Sequence, residues 1–356
     1  MSVPFETTTE IVRRAHELLA PPIWDYIVGG SETETTIRRN REAIGALAFR
    51  PRVLRNVADL DTTTTLLGTK LRIPYILAPV GSLQAVTEAG AAASVRGALA
   101  FGTLSTVSSV SQPGLEAAAE AATGDKWFQL YIRGDFSWVG DVVERVRSVG
   151  YSALILTVDT AHYSRRERQI ISRWLPPGRR TSGEESYQAM LDWETAARIK
   201  AIAGIPVGIK GIQCAEDAEI ALREGFDVIW VSNHGGRQLD HARGSIEILP
   251  EVASVVAGRV PIVVDGGFLR GTDVLKAIAL GATAVATGRL HALALAAGGE
   301  AGLVRMLEIL EIEIRTSMAL LGVSSLAQLD ASYVVATTPV STPQVGFPFL
   351  LPEIRL

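Results

Sequence analysis

Val231-Ser232-Asn233-His234-Gly235-Gly236-Arg237-Gln238-Leu239-Asp240 is the stretch of the chain that says most about its fold. The apolar run 228–231 predicts a buried strand that ends abruptly at polar residues and a glycine pair. Such a strand brings His234 to an edge of a sheet. Arg237 follows on a tight turn that glycine permits, so a proton acceptor and a fixed positive charge can converge on one small molecule. The stretch predicts a site for an acidic substrate, although a single histidine at a strand end can also be purely structural.

The rest of the chain shows regular alternation. From residue 74 onward, short runs rich in Val, Ile and Leu alternate with alanine-rich amphipathic stretches, which is typical of strand-helix units around a parallel sheet. Eight units within about 250 residues predict an α/β fold, a closed (β/α)8 TIM barrel, although an open doubly wound sheet gives a similar alternation. The eight predicted strands are residues 75–78, 102–104, 127–131, 153–158, 207–210, 228–231, 262–264 and 284–287.

Residues able to bind a ligand follow nearly every predicted strand. In a barrel these strand ends meet at one face, whereas an open sheet would spread them along a crevice. No Gly-x-Gly-x-x-Gly follows the first strand, so a Rossmann nicotinamide site has no support. We therefore expect a barrel with its site at the carboxyl ends of the strands. The residues in question are Pro79-Val80-Gly81, Ser108, Gln129, Tyr131, Thr157, Asp159, Lys210, Ser232, His234, Asp265-Gly266-Gly267 and Gly288-Arg289.

The segments around the barrel are predicted to be parts of one domain that spans residues 1–356. Residues 1–73 form an N-terminal extension, with helices at 9–19 and 34–47 and a hairpin at the barrel floor over 50–71. Residues 170–190 lack periodicity and follow the fourth strand, which suggests a mobile active-site lid or, equally, a surface insertion without a role. Residues 334–356 contain four prolines and are predicted to be an extended tail.

Composition excludes several classes of function. With 47% hydrophobic residues and 20% charged residues, the chain can bury a large core. A net charge of -4 supplies no basic field, so we expect no nucleic-acid partner. The single cysteine, Cys214, cannot form an internal disulfide, and no metal site is predicted. There is neither a signal sequence nor a long apolar run, so we expect a cytoplasmic protein without membrane contact.

Six motifs together resemble those of the FMN-dependent L-2-hydroxy acid oxidases and dehydrogenases, a family that includes glycolate oxidase, lactate oxidase, mandelate dehydrogenase and 4-hydroxymandelate oxidase. The resemblance runs from about residue 24 to 333. It implies FMN as the cofactor and a homotetramer as the assembly. The motifs are Phe128-Gln129-Leu130-Tyr131, Thr157-Val158-Asp159, Lys210-Gly211, Ser232-Asn233-His234-Gly235-Gly236-Arg237-Gln238, Asp265-Gly266-Gly267 and Gly288-Arg289.

The resemblance assigns roles to residues of the substrate site. His234 is implied to be the catalytic base and Asp159 the carboxylate that stabilises its imidazolium, as a histidine that has just taken a proton requires. Arg166 and Arg237 are implied to clamp the substrate carboxylate, a task that suits bidentate guanidinium geometry. The resemblance also implies five further substrate contacts, which are Tyr26, Tyr131, Tyr163, Gly81 and Val110.

On the cofactor side, Lys210 is implied to lie against the flavin, where a cation stabilises the reduced ring. A buried lysine also requires an anionic partner, which supports this assignment. The loops after strands seven and eight are implied to bind the phosphate, as in many barrels. The remaining implied cofactor residues are Ser108, Gln129 and Thr157 at the ring edge, Pro79, Val80 and Gly81 beside the ring, Ser232, Asp265 at the ribityl chain, and Gly266, Gly267, Gly288 and Arg289 at the phosphate.

Some positions depart from the family pattern. Leu269 stands where many members carry an arginine for the FMN phosphate, with Arg270 next to it, which predicts weaker retention of FMN. Residues 87–90 replace the family's His-Pro-Glu-Gly, and Ala161 and Leu290 replace prolines. None of these last changes removes a catalytic group.

The resemblance implies oxidation of an (S)-2-hydroxy acid to the 2-oxo acid, with oxygen, giving hydrogen peroxide, or another acceptor reoxidising FMN. Val110 stands where glycolate oxidase has a tryptophan and Gly81 where many members have alanine, so we expect an aryl or bulky substrate such as mandelate or 4-hydroxymandelate. The alternatives are a tailoring enzyme that oxidises a larger natural-product or peptide-derived substrate, or a degenerate flavin-binding scaffold. An isopentenyl diphosphate isomerase of type 2 is disfavoured because it has no use for two arginines beside His234.

Overall fold

A computed structural model describes residues 5–180 and 186–340 of the chain. The predicted helices at 9–19 and 34–47 correspond to the first and third helices, but the second was not predicted. Its first turn contains Pro21 and Pro22, which a helix tolerates there because its first N–H groups have no helical partner. The third helix also ends before residue 47, where a strand begins instead. The N-terminal elements are α1 (Thr8–Leu18), α2 (Pro21–Val28), α3 (Thr35–Gly45), β1 (Leu47–Phe49), β2 (Thr64–Leu66) and β3 (Thr69–Leu71).

The hairpin expected over 50–71 is shorter than predicted. Only β2 and β3 pair, in antiparallel register, and Leu67 and Gly68 between them both have positive φ. Leu66 and Leu71 are fully buried against apolar side chains inside the barrel, including Trp127. The hairpin therefore closes the amino-terminal end of the barrel.

Eight parallel strands form the central sheet. Seven neighbouring pairs are joined by ladders, and an isolated bridge between Leu77 and Ser105 joins the first and second strands. The predicted (β/α)8 barrel is confirmed. The strands are β4 (Tyr75–Leu77), β5 (Thr106–Ser108), β6 (Trp127–Leu130), β7 (Ala153–Thr157), β8 (Val207–Ile212), β9 (Val228–Val231), β10 (Ile262–Val264) and β11 (Ala284–Thr287).

The predicted position of the second strand, 102–104, is wrong. Gly102 has φ +98° and ends the preceding helix through its N–H bond to the Ala98 carbonyl. Leu104 is buried and its carbonyl accepts a bond from Leu77, but pairing with β6 begins only at Thr106. Residues 102–104 lie just before the strand and do not belong to its ladder with β6.

Helices surround the sheet. The last one bends where Gly298 and Gly299 leave helical geometry. No helix in the described residues is long and apolar enough to span a bilayer. The helices are α4 (Gly90–Phe101), α5 (Leu115–Glu120), α6 (Phe136–Ser148), α7 (Glu167–Ser172), α8 (Pro177–Arg180), α9 (Ser186–Ala189), α10 (Trp193–Ile202), α11 (Ala215–Arg223), α12 (Ser245–Val256), α13 (Gly271–Ala279) and α14 (Arg289–Leu321).

The segment after the fourth strand contains short helices, and the described start of the predicted extended tail is a strand. Residues 170–190 include the end of α7 together with α8 and α9, and residues 181–185 lie outside the described part. The predicted tail begins with β12 (Val334–Ala336), which pairs antiparallel with β1. Residues 341–356 of the tail also lie outside the described part.

Candidate active site

A pocket opens at the carboxyl ends of the barrel strands, where the sequence predicted the site. Most of the predicted residues line it, and the other five lie at or just after the carboxyl ends of the same strands. Those five are Ser108, Gln129, Thr157, Asp159 and Ser232. The lining members are Tyr26, Pro79, Val80, Gly81, Val110, Tyr131, Tyr163, Arg166, Lys210, His234, Arg237, Asp265, Gly266, Gly267, Gly288 and Arg289.

His234 and Asp159 form a buried pair. The His234 Nδ1 atom lies 2.8 Å from Asp159 Oδ1, and their side chains are 17% and 3% exposed. Burial lowers the pKa of His234 although Asp159 opposes the shift. Burial would raise the pKa of Asp159, but the charges of His234 and Lys210 outweigh it and hold that pKa below its usual range. At neutral pH the pair therefore consists of a carboxylate and a neutral imidazole whose Nε2 is directed at Tyr131, a geometry that suits a base.

The backbone that carries His234 is unusual. His234 has φ +57°, a left-handed conformation that is costly for a side-chain-bearing residue. Gly235 and Gly236 continue the turn with φ +63° and +73°. Two side chains hold it, because the Ser232 hydroxyl accepts a bond from His234 N at 2.9 Å and the Asn233 amide oxygen accepts one from Gly236 N at 3.1 Å. The turn positions the imidazole at the pocket.

Arg166 and Arg237 provide positive charge beside His234. Arg237 Nη1 donates to the carbonyls of Tyr26 at 2.7 Å and Gly29 at 2.8 Å. Burial and the nearby Arg166 lower the pKa of Arg237 to about 10, so it stays a cation at neutral pH. Arg166 donates to Ser164 Oγ at 3.2 Å. Within the described residues neither guanidinium forms an ion pair, and two such cations together suit an anionic ligand.

Three tyrosines surround this charge. The Tyr26 hydroxyl donates to the Gly81 carbonyl at 2.8 Å, and the Tyr131 hydroxyl lies 3.5 Å from His234 Nε2. Burial raises the pKa of both, so both remain protonated donors at neutral pH. The ring of Tyr163 lies 4.4 Å from the Arg166 guanidinium carbon. Tyr26 and Tyr131 are thus placed to contact an oxygen atom of a ligand held near His234.

Gly81 and Val110 line adjacent parts of the pocket wall, and we call the region beside them the side pocket. A methyl group at Gly81 would lie 2.7 Å from Val110 Cγ2 and 3.7 Å from the Tyr26 hydroxyl. At 2.7 Å the Val110 side chain already occupies the space that a methyl group at position 81 would need, so glycine at this position lets Val110 pack directly against the backbone.

The ends of β5, β6 and β7 present polar atoms that fit the edge of a flavin ring. Ser108 Oγ donates to Gln129 Oε1 at 2.9 Å. Gln129 Nε2 and Thr157 Oγ1 are buried and have no hydrogen-bond partner among the described residues. Such unsatisfied buried groups are costly unless a ligand completes them. The predicted ring-edge residues therefore fit a polar planar cofactor.

Lys210 has an anionic partner within the chain. Its ammonium lies 2.8 Å from Ser232 Oγ and 3.3 Å from Asp265 Oδ2. Asp265 also accepts bonds from Ser232 at 2.7 Å and from Trp230 at 2.9 Å. The chain itself thus supplies the anion that a buried lysine needs, so the burial of Lys210 is not in itself an argument for a flavin. Because Lys210 lines the pocket, its position is still compatible with a bound flavin.

The loops after β10 and β11 fit a phosphate group. Gly266 and Gly267 have φ +110° and +91°, and a methyl group at Gly266 would lie 2.6 Å from Ser245 Oγ. Both positions therefore require glycine. Arg289 begins α14, and burial and Arg237 lower its pKa to about 9. Its guanidinium donates to the carbonyls of residues 28 and 29, and a helix N-terminus beside a buried cation is suited to an anion.

Position 269 has no arginine, although the family resemblance implied one there for the phosphate. Leu269 lines the pocket and is 8% exposed. The neighbouring Arg270 does not replace it, because its guanidinium pairs with Glu313 at 2.6 Å and is 44% exposed. The sequence reasoning missed three other pocket arginines, Arg41 from α3, Arg133 after β6 and Arg179 from α8. None of them lies in a recognised motif, so no sequence signal marked them.

The segment predicted as a lid contacts the pocket. The ring of Trp174 lies 5.3 Å from that of Tyr26, and Gly178 N donates to Ser82 Oγ at 2.8 Å. Gln188 is buried, and its amide donates to the Thr157 carbonyl at 2.9 Å. These contacts place the segment over the site, and its opening remains a prediction.

Known proteins resemble the chain over nearly its whole length. Residues 15–336 match the family described as FMN-dependent dehydrogenase. Glycolate oxidase of Spinacia oleracea is 38% identical over 90% of this chain and 93% of its own, and a 2-hydroxyacid oxidase of Dictyostelium discoideum is 36% identical over 93% and 90%. A crystal structure of mandelate oxidase superposes with a TM-score of 0.88 at 35% identity, covering 95% of this chain and all of the other. The structure of a mutant of an active chimera of (S)-mandelate dehydrogenase superposes with a TM-score of 0.87 at 29% identity, covering 92% of this chain and 99% of the other.

Proposed function

The chain belongs to the family of FMN-dependent dehydrogenases and uses FMN to oxidise 2-hydroxy acids, and from this premise we propose that its substrate is an (S)-2-hydroxy acid with an aryl or similarly bulky side chain. The product is the 2-oxo acid. Oxygen, giving hydrogen peroxide, or another acceptor then reoxidises the cofactor. The observation that carries this proposal is the His234–Asp159 pair, 2.8 Å apart, beside two arginines without a carboxylate partner among the described residues.

Each of these residues has a task in the proposed reaction. Arg166 and Arg237 bind the substrate carboxylate and fix the α-carbon beside His234. His234 accepts a proton at Nε2, and Asp159 stabilises the imidazolium that results. Tyr131 donates a hydrogen bond to the substrate oxygen. FMN, when bound, supplies the acceptor for the two electrons that leave the α-carbon.

The size of the proposed substrate rests on the side pocket. Gly81 contributes no side chain there, and Val110 is the residue that a larger group at position 81 would contact. A side chain of the substrate that extends from the α-carbon toward these residues meets an apolar surface. An aryl group gains more from this surface than a hydrogen or methyl group does, since buried apolar area determines the gain.

Anaerobic titration tests the proposal. The purified holoenzyme is mixed with (S)-mandelate, (S)-lactate or (R)-mandelate while the flavin absorbance near about 450 nm is followed. We expect (S)-mandelate to bleach the flavin faster than (S)-lactate, and (R)-mandelate to leave it oxidised. Faster bleaching by lactate would contradict the bulky substrate, and no bleaching by any of the three would contradict this substrate class and favour a tailoring enzyme.

Two further measurements complete the test. Admitting air to the reduced enzyme and measuring peroxide distinguishes oxygen from a quinone or carrier protein as acceptor. The variant His234→Ala should retain FMN but lose bleaching by every 2-hydroxy acid. Turnover by this variant at the parent rate would refute the role of the base. The homotetramer and the cytoplasmic location remain predictions.

A further inference from the structure

The N-terminal helix α3 brings an arginine to the phosphate end of the pocket. Arg41 lines the pocket, and its side chain is 16% exposed. Its Nη1 atom donates to the Gly267 carbonyl at 2.5 Å and to Asp273 Oδ2 at 2.6 Å. Its Cδ would lie 3.4 Å from a methyl group on Gly267, so the arginine packs directly on the glycine loop.

The contacts of Arg41 place it beside Leu269. Asp273 Oδ2, which binds Arg41, also accepts a bond from the backbone N–H of Leu269 at 2.9 Å. The loop that carries position 269 and the guanidinium from α3 are therefore tied to the same carboxylate oxygen. Arg270 is directed away, toward Glu313. Among the described residues, Arg41 and Arg289 line the pocket and Arg270 does not.

A phosphate monoester carries about 1.5 to 2 negative charges at neutral pH, more than one guanidinium neutralises. We propose that Arg41 gives the FMN phosphate a second guanidinium donor, in place of the arginine that position 269 lacks. Because Asp273 balances its charge, Arg41 acts through its remaining N–H groups and not as an unpaired cation. A guanidinium has five N–H donors, and the contacts to Gly267 and Asp273 both use Nη1. Asp273 fixes the orientation of Arg41, so little side-chain entropy is lost when phosphate binds.

This inference concerns the cofactor and does not depend on which hydroxy acid is oxidised. It predicts that removal of Arg41 affects the phosphate and not the flavin ring. The apoprotein of Arg41→Gln is titrated with FMN and, separately, with riboflavin, which lacks the phosphate, and quenching of flavin fluorescence gives both Kd values. A lost charge-assisted hydrogen bond raises the Kd for FMN by about 10-fold or more, and the Kd for riboflavin stays within about 2-fold.

Two outcomes would overturn the proposal. If binding of FMN and of riboflavin weakens equally, Arg41 only stabilises the glycine loop. If the Kd for FMN is unchanged, Arg41 does not contact the phosphate. The matched control is Arg270→Gln, which removes an arginine of the same charge next to Leu269 and should change neither Kd.

The need for a second guanidinium can also be tested by restoring one at position 269. Leu269→Arg in the Arg41→Gln background should recover most of the FMN affinity without changing riboflavin binding. A double variant that binds FMN as weakly as Arg41→Gln would overturn the equivalence of the two positions. If Arg41→Gln alone does not fold because Asp273 loses its partner, Arg41→Gln with Asp273→Asn removes both charges and should show the same loss that is selective for FMN.

Discussion

Replacing Asp159 with asparagine should slow oxidation of the substrate while leaving substrate and FMN binding nearly intact. The carboxylate is 3% exposed and lies 2.8 Å from His234 Nδ1, so it contributes most when the ring becomes positively charged. Asparagine has the same shape and can still accept a hydrogen bond, but it carries no charge. The variant therefore isolates the electrostatic part of the interaction.

The expected fall in the rate of flavin reduction follows from this geometry. Two unit charges centred about 4 Å apart interact by about 4 kcal/mol at an effective dielectric constant of about 20, which is an upper bound for this pair. A charge-assisted hydrogen bond contributes about 1.5 to 3 kcal/mol, and a neutral one about 1. The rate of flavin reduction should therefore fall by at least about 2-fold and at most about 1000-fold.

The pH dependence has a defined sign. His234 acts as a base only when neutral, so the rate falls as the pH drops through its pKa, which burial holds below the ordinary value of 6.5. Asp159 raises that pKa, so its removal moves the acid limb of the profile to still lower pH. The variant should thus show a lower plateau that extends to more acidic conditions.

Anaerobic stopped-flow reduction over a range of pH measures both effects. The Kd for the substrate, obtained from the concentration dependence of the rate, should change by less than about 3-fold, because Arg166 and Arg237 remain. An unchanged plateau, or an acid limb that moves to higher pH, would refute the reasoning.

Three other substitutions test separate parts of the structure. Arg237→Lys keeps the charge but loses the planar guanidinium, so KM should rise by about 10-fold or more with a smaller fall in kcat, as steady-state kinetics would show. Val110→Trp should fill the side pocket and lower kcat/KM for mandelate relative to lactate; an unchanged ratio would place the substrate side chain elsewhere. Asp240→Ala should destabilise the fold by about 1 to 3 kcal/mol in urea melts, because its carboxylate accepts bonds from Thr33 and Thr36. Burial alone would raise the pKa of the Asp240 carboxyl, but these bonds outweigh burial and lower that pKa to about 2. The carboxylate therefore contributes to the free energy of unfolding above pH about 4, and this contribution is lost as the pH falls toward 2.

The sequence predicted the parts of the site that lie on strand ends. The parallel alternation places every carboxyl end at one face, so His234, Lys210 and Asp265 could be assigned to one pocket from their positions alone. Strand boundaries were less accurate where an apolar run entered the barrel before its ladder began, as at residues 102–104. Burial is visible in a sequence, whereas the residue at which two distant strands begin to pair is not.

Contacts between distant segments could not be predicted. The pairing of Lys210 with Asp265 depends on the spacing of strands β8 and β10, which share no local pattern. Arg41 lies in a helix whose charged residues resemble an ordinary exposed face, and only packing of α3 on the glycine loop brings it to the pocket.

The unpredicted helix α2 explains how two partly buried arginines are accommodated without a carboxylate partner among the described residues. Arg237 donates to the carbonyls of Tyr26 and Gly29, and Arg289 to those of Val28 and Gly29, all at the carboxyl end of this helix. The last carbonyls of a helix have no helical partner and carry partial negative charge, so they stabilise cations. Since these carbonyls orient both the arginine that we propose for the substrate and the one that we expect at the phosphate, the N-terminal segment is as much a part of the proposed active site as the barrel strands are.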